Sequence, residues 1–334
     1  MQLRRETMDV VFLDPRNGFE PTSARVEVRW DPLTGQTSRL LPPAGMLRRS
    51  EFDLAALAEK TSPTCPFCSP RIEDAVPRYP AGLVPEGRIK VGEALLFPNL
   101  IPYSRHSPVS VYSPNRHFLP LSDMTPRLVA DNLAAHVAFC QAVAAADPDA
   151  KWASINANHM LPSGSSIFHP HFQGGISSSP TNMQRLLAEV PAERFEAYLQ
   201  AERDAGERFI AEIGGTIWLA AFSPLGFADV RAFVPGTAAP HELSAGQVRD
   251  LGTGIAAALN VYAEMGFESF NLAVYGAPAG TPGYPLNLRL LCRSNLEPLY
   301  RSDTMWMDKV HWEPVCDIWP EELAQQARAR FHMT

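Results

Sequence analysis

The stretch His169-Pro170-His171-Phe172-Gln173 closes the run Asn158-His159-Met160-Leu161-Pro162-Ser163-Gly164-Ser165-Ser166-Ile167-Phe168 and decides how this chain is read. Two imidazoles and an amide recur at every second residue, the spacing that lines one face of a β-strand. The spacing predicts that His169, His171 and Gln173 converge on one site while Pro170 and Phe172 turn away. An imidazole behind a Gly/Ser-rich loop suits attack on phosphorus. The ring nitrogen supplies the electron pair, and an amide with loop N–H groups holds anionic oxygens. A lone His-x-His is as often a metal pair or a surface feature. The loop, the trailing Gln173 and a distant Cys65-Pro66-Phe67-Cys68 tilt the reading toward catalysis.

Around that motif, 334 residues with 46% hydrophobic and 19% charged side chains give room for one large or two medium domains around a buried core. A formal net charge of −7 argues against a nucleic-acid partner, since no basic face dominates. Met1 to Asn17 lacks the apolar core of a signal peptide, and no run of about 18 apolar residues suggests a membrane span. Five cysteines, an odd number, predict a reducing compartment, with the cytoplasm as the default. The 31 prolines favour loops and extended segments over a helix bundle.

Two segments follow one plan. The first is Val109 to Pro114, a helix over about Thr125 to Ala146, a strand over Trp152 to Asn158, the Gly/Ser loop and the His-Pro-His strand. The second is Val230 to Pro235, a helix over about Ala245 to Met265, Ser269-Phe270-Asn271-Leu272-Ala273 echoing Ser154-Ile155-Asn156-Ala157-Asn158, a Gly/Pro loop and the strand Leu286 to Leu291. A repeat of this length predicts two copies of one α+β unit. Where the first copy has His-Pro-His-x-Gln, the second has leucines and an arginine, so one copy carries the chemistry and the other is structural.

Cys65-x-x-Cys68 sits on a loop after Ser62-Pro63-Thr64, and two thiolates so spaced need two more ligands to close a zinc site. His117 and His169 are candidates, with His106 competing and His159 and His136 behind it. A closed Cys2His2 site has no open position and activates no water. Cys140, Cys292 and Cys316 stand alone and read as buried thiols.

These residues resemble the galactose-1-phosphate uridylyltransferase family of the histidine-triad superfamily. Arg29-Trp30-Asp31-Pro32-Leu33-Thr34-Gly35-Gln36 resembles its N-terminal stretch, and Cys65-x-x-Cys68 with Ser113-Pro114 and His117 its metal ligands. Asn158, Gly164, Ser166, His169, His171 and Gln173 match its signature loop and strand. The resemblance implies an α+β fold of two histidine-triad-like units, each an antiparallel sheet with a packed helix, in a duplicated half-barrel. Residues 1–200 would form the catalytic unit with the zinc knuckle, and 201–334 a degenerate unit adding to the substrate pocket.

It also implies ping-pong transfer. His171 would take a nucleoside monophosphate from a nucleotide sugar and pass it to a sugar 1-phosphate, assisted by Gln173, Ser166 and Asn158. Phe97 and Asn99 would contact the nucleoside, Gly164 and Ser165 the phosphate, and Arg301 and Glu313 the sugar. About one structural zinc per chain, on Cys65, Cys68, His117 and His169, is implied, as is a homodimer. A phosphorylase acting on a nucleotide sugar or dinucleoside polyphosphate is the alternative, and a non-catalytic zinc-stabilised nucleotide-binding protein a second. Three departures stand out. Met160 replaces a glycine of the loop. Tyr275-Gly276-Ala277-Pro278 and Leu290 to Ser294 lack the histidines of a second metal site. Trp306, Trp312 and Trp319 read equally as an aromatic acceptor pocket or as core.

Overall fold

Buried and half-buried positions alternate along the whole of Trp152–His159, and strands of the same period lie on either side. In the computed structural model, which describes residues 1–299 and 301–332, β1 (Arg5–Asp14), β2 (Glu20–Trp30), β3 (Thr37–Leu40) and the short late strand Val315–Cys316 form a small sheet. The large sheet comprises β4 (Ile89–Val91), β5 (Ala94–Pro98), β6 (Pro108–Val111), β7 (Trp152–His159), β8 (His171–Ser177), β9 (Phe209–Ile213), β10 (Thr216–Ala220), β11 (Phe227–Val234), β12 (Ser269–Tyr275) and β13 (Leu286–Arg293). Its order is β4-β5-β6-β8-β7-β12-β13-β11-β10-β9, antiparallel throughout and open at both edges.

That order contains β6-β8-β7 followed by its reverse counterpart β12-β13-β11, so the two copies meet back to back at the β7–β12 seam. Asn158 pairs with Asn271 and Asn156 with Ala273, the register of a local two-fold. Gln173 lies opposite Asn156 and Leu291 opposite Asn271, which makes Arg289 the counterpart of His171. The first strand of the repeat needs a correction. Val111 faces His171 and Arg231 faces Arg289, so Val111 corresponds to Arg231 and not to Ala232 as the sequence alignment has it. The pairing is regular from Val230 to Val234, so the strand itself is shifted by one residue against the sequence match, and one residue of slip exchanges the faces of a strand.

The repeat helices come where the spacing predicts them, at α3 (Pro126–Ala146) and α6 (Ala245–Glu264), capped by Thr125 and by a Ser244–Gln247 capping box. They pack side by side on one face of the sheet over a core containing Phe172, Ile155, Leu272 and Leu290. Length and apolar composition alone would let α3 span a membrane, yet most of it is buried against the sheet and α6. The contact is close because Gly252 puts its hydrogen where a Cβ would meet Ala130 Cβ at 2.8 Å and Pro126 O at 2.9 Å. A Cβ at Gly254 would lie 2.1 Å from the ring of the fully buried Trp218. Gly254→Ala should therefore reverse the usual sign of a helical Gly→Ala change, costing about 3 kcal/mol in a urea-midpoint measurement. An unchanged or raised midpoint would mean that Trp218 is not wedged there.

Burial also sets a pH dependence. His136 in α3 and His159 in β7 are both pushed down to about 3 by desolvation. Unfolding returns each to an ordinary value near 6.5, so this contribution is fully present above that pH and is lost as pH falls. Each ring should cost about 2 kcal/mol of stability between pH 7 and pH 5. His136→Leu should flatten the wild-type fall in urea midpoint by that amount; an equal fall in both proteins would contradict it.

On the other face two covers leave a gap. Cys65, Phe67, Ile72 and Val76 pack on Phe97, Val109 and Val111 of the first half. Leu187, Phe195, Tyr198 and Leu199, from helices at Asn182–Ala188 and Ala192–Ala205, pack on Leu219 and Phe233 of the second. The boundary anticipated at 200/201 thus falls inside the second of these helices, and the two halves share one sheet. Arg289 is buried with Arg231 on Asp31, at 2.7 and 3.1 Å, and also meets Asp229. Burial alone would raise the Asp31 pKa, but the two guanidiniums and the Leu33 and Thr34 amides hold it below its ordinary value. The Arg29–Gln36 stretch therefore seals the second half where the first half is open.

Candidate active site

Between the covers lies a strip of half-buried side chains from β7, β8 and β12: Asn156, Asn158, Gln173 and Asn271, with His171 at its end. His171 is 5% exposed. Its Nδ1 lies 2.8 Å from His169 O, so that nitrogen carries the proton and Nε2 keeps its lone pair. Burial lowers the pKa of His171, partly offset by the bond to His169 O, and keeps the ring neutral. Gln173 Nε2 stands 3.4 Å from His171 Nε2 and, being an amide, can donate there without giving up a proton. Phe172 turns to the opposite core, as the alternation predicts.

His169 does not join that strip. Its Nδ1 faces the Cys68 and Cys65 sulfurs at 3.4 and 3.7 Å, and His117 Nδ1 lies 3.2 Å from Cys68 Sγ. All four ligand atoms fall within 4.8 Å of one another. Zinc–ligand bond lengths in a tetrahedron place sulfur and nitrogen about 3.6 Å apart, so the set has the right size. Both rings are also oriented for it. His169 Nε2 donates to Ser113 O at 2.9 Å and His117 Nε2 to Thr61 Oγ1 at 2.8 Å, leaving the Nδ1 lone pairs for a metal. His106 is elsewhere, 2.7 Å from Asp147. Such a site would pin the strand entrance and the Cys65 loop together without touching the reacting atoms. Phe67, between the cysteines, packs edge-to-face with His171 and with Phe97, the ring centroids 5.4 and 5.3 Å apart.

The loop from His159 to Pro170 keeps a glycine-like path in spite of Met160, whose φ is +68°. Its side chain is buried with Leu54 and Phe168, which helps to hold that conformation. Gly164 has φ +95°. The Gly164 and Ser165 amides, expected to face phosphate, instead bond Leu161 O at 2.9 Å and Met160 O at 3.4 Å, and the Ser165 hydroxyl donates to Ile167 O. Ser166 is exposed at the crest and has no hydrogen bond to another described residue. Asn158 reaches the loop through Gly164 O at 3.5 Å.

Other anticipated residues sit apart. The Phe97 ring is 1% exposed and supports the site from beneath, rather than offering a face to a base. Asn99 Oδ1 accepts from Ile101 N at 3.0 Å. Arg301 is exposed, and Glu313 is paired with Arg39 at 2.6 Å. The tryptophans form no common pocket: Trp306 and Trp312 are 63% and 67% exposed, while Trp319 packs on the core and donates to Leu41 O. Two cavities flank the strip. One of about 400 Å³ is lined by Tyr103, Trp152, Ser154, Asn156 and Gln173. The other, of about 250 Å³, is lined by Asn271, Leu291, Arg293, Thr304 and Lys309.

The duplicated open antiparallel sheet is a fold shared with solved phosphorylases and uridylyltransferases. An ADP-glucose phosphorylase from Arabidopsis thaliana superposes with a TM-score of 0.66 at 17% identity, covering 91% of this chain and 98% of the other. A GalT-like protein from the same plant gives 0.67 at 17% identity, with the same coverage. A uridylyltransferase gives 0.60 at 18% identity, covering 92% and 98%. In sequence, the chain belongs to one family with an uncharacterised protein of Archaeoglobus fulgidus, 32% identical over 312 residues, which are 91% of this chain and 92% of that protein. No family model matches it.

Proposed function

We propose that this protein transfers a nucleoside monophosphate from a nucleotide sugar to a phosphate-bearing acceptor through a covalent bond to His171. The observation that carries the reading is the His171 tautomer: Nδ1–H on His169 O and an unprotonated Nε2 that faces the Gln173 amide. Nε2 attacks the α-phosphorus, the bond to the bridging oxygen breaks, and the sugar 1-phosphate leaves with that electron pair. The ring then carries a positive charge that the Nδ1–H···O=C bond supports. An oxygen of the acceptor phosphate attacks the same phosphorus, and the P–N bond returns its electrons to His171. Gln173 holds a phosphoryl oxygen but shuttles no proton, so water is poorly activated and the intermediate waits for its acceptor.

In this reading Cys65, Cys68, His117 and His169 hold a structural zinc, which supplies no open position for chemistry. A homodimer in the cytoplasm belongs to the same proposal, by the resemblance alone. The test is isotope exchange. Labelled sugar 1-phosphate should enter the nucleotide sugar with no other acceptor present, because the first half-reaction stands alone. If exchange requires a second substrate, transfer is direct and the reading fails. The acceptor that then discharges the enzyme separates transferase from phosphorylase: a sugar 1-phosphate for the first, inorganic phosphate for the second.

A further inference from the structure

We propose that Arg293, acting through Asn271, fixes the polarity of the site so that Asn158 presents its amide N–H2, and not its oxygen, to the phosphoryl group. The inference deepens the proposed function and rests on it. A guanidinium has donors only. Arg293 Nη1 lies 2.6 Å from the Asn271 side chain, so the atom it meets is the amide oxygen on chemical grounds. Asn271 Nδ2 must then face the other way, where Ser163 O, an acceptor only, takes a bond at 2.9 Å. The same Nδ2 stands 2.6 Å from Asn158, whose near atom is therefore its oxygen. The N–H2 of Asn158 is left pointing along the loop, with only a long 3.5 Å contact to Gly164 O.

Arg293 is itself fixed. Its Nε lies 3.0 Å from both carboxylate oxygens of Asp303, Nη2 reaches Thr304 Oγ1 at 3.2 Å, and Asp303 also takes the Ser294 amide at 2.8 Å. The chain from Asp303 through Arg293 and Asn271 to Asn158 thus runs from the second half of the molecule into the loop of the first. Asn156, the two-fold counterpart of Asn271, shows no such arrangement and donates to Ser154 Oγ within its own strand. An anionic phosphoryl oxygen is attracted by the donor end of Asn158 and repelled by its acceptor end, so the flip state matters to catalysis. Arg293 and Asn271 are positioning residues: they act on the reaction through Asn158.

The test measures single-turnover formation of the nucleotidyl adduct by quenched intact-mass analysis, with zinc content and thermal midpoint as controls. Asn271→Asp keeps the shape and the Arg293 pairing but cannot donate. Asn158 would turn its N–H2 to the new carboxylate and its oxygen to the phosphate, slowing adduct formation by about a hundredfold. Asn271→Ala lets Asn158 choose freely and should cost about tenfold. A residue that merely packs would give the opposite order, because aspartate is nearly isosteric. Arg293→Lys should recover part of what Arg293→Met loses, and that pair carries the test if Asn271→Asp does not fold. Wild type that labels while Asn271→Asp is as fast as Asn271→Ala overturns the inference alone. Wild type that never labels overturns the proposed function and the inference together.

Discussion

His171→Asn should lose at least about a thousandfold in transfer activity while keeping its fold, its metal and its affinity for nucleotide. Asparagine can still donate to His169 O from roughly the place of Nδ1, so the strand entrance keeps its bond. Nothing then remains at the Nε2 position to form a bond with phosphorus. Residual turnover would come from the cavities and loop alone, and it should not pass through a covalent state. Steady-state kinetics beside an equilibrium nucleotide-binding measurement checks this. A variant that turns over within tenfold of wild type would show that His171 only positions the substrate.

The second large effect is expected at the metal. Cys65→Ser should leave well under one equivalent of zinc and lower the thermal midpoint by on the order of 10 °C, because a closed four-ligand site is part of the folding free energy. Activity should fall with it, for a reason particular to this chain. The cysteine loop carries Phe67, whose ring packs on both His171 and Phe97, so loosening the knuckle loosens the wall behind the nucleophile. Metal analysis and calorimetry on the purified variant decide the matter. Stoichiometric zinc with an unchanged midpoint would remove Cys65 from the ligand set.

What the sequence reveals here follows from range. The helices around Leu128 to Val143 and after Ser244 are written locally, in periodicity and caps, and they lie where those signals put them. The four metal-site residues carry spacing and turn signals as well, and the fold brings them together. Residues whose meaning depends on a distant partner are silent. Phe67 is an unremarked residue between two cysteines, and Asn271 and Arg293 belong to the half that looks merely structural. Only the strand pairing at the seam joins them to Asn158. Arg289 is the instructive case. Its strand shows only that the histidines are gone, whereas the two-fold register puts its buried charge in the place of His171, neutralised by Asp31 and Asp229. The resemblance implies Gly164 and Ser165 as phosphate donors, yet the compact turn at Leu161–Ser163 uses their amides itself.

The most direct measurement is the mass of the intact protein after incubation with a panel of nucleotide sugars and dinucleotides and no acceptor. A single nucleoside-monophosphate increment per chain should appear, be absent from His171→Asn, and vanish once an acceptor phosphate is added. A wild-type mass that never changes with any of these compounds would contradict the account at its centre.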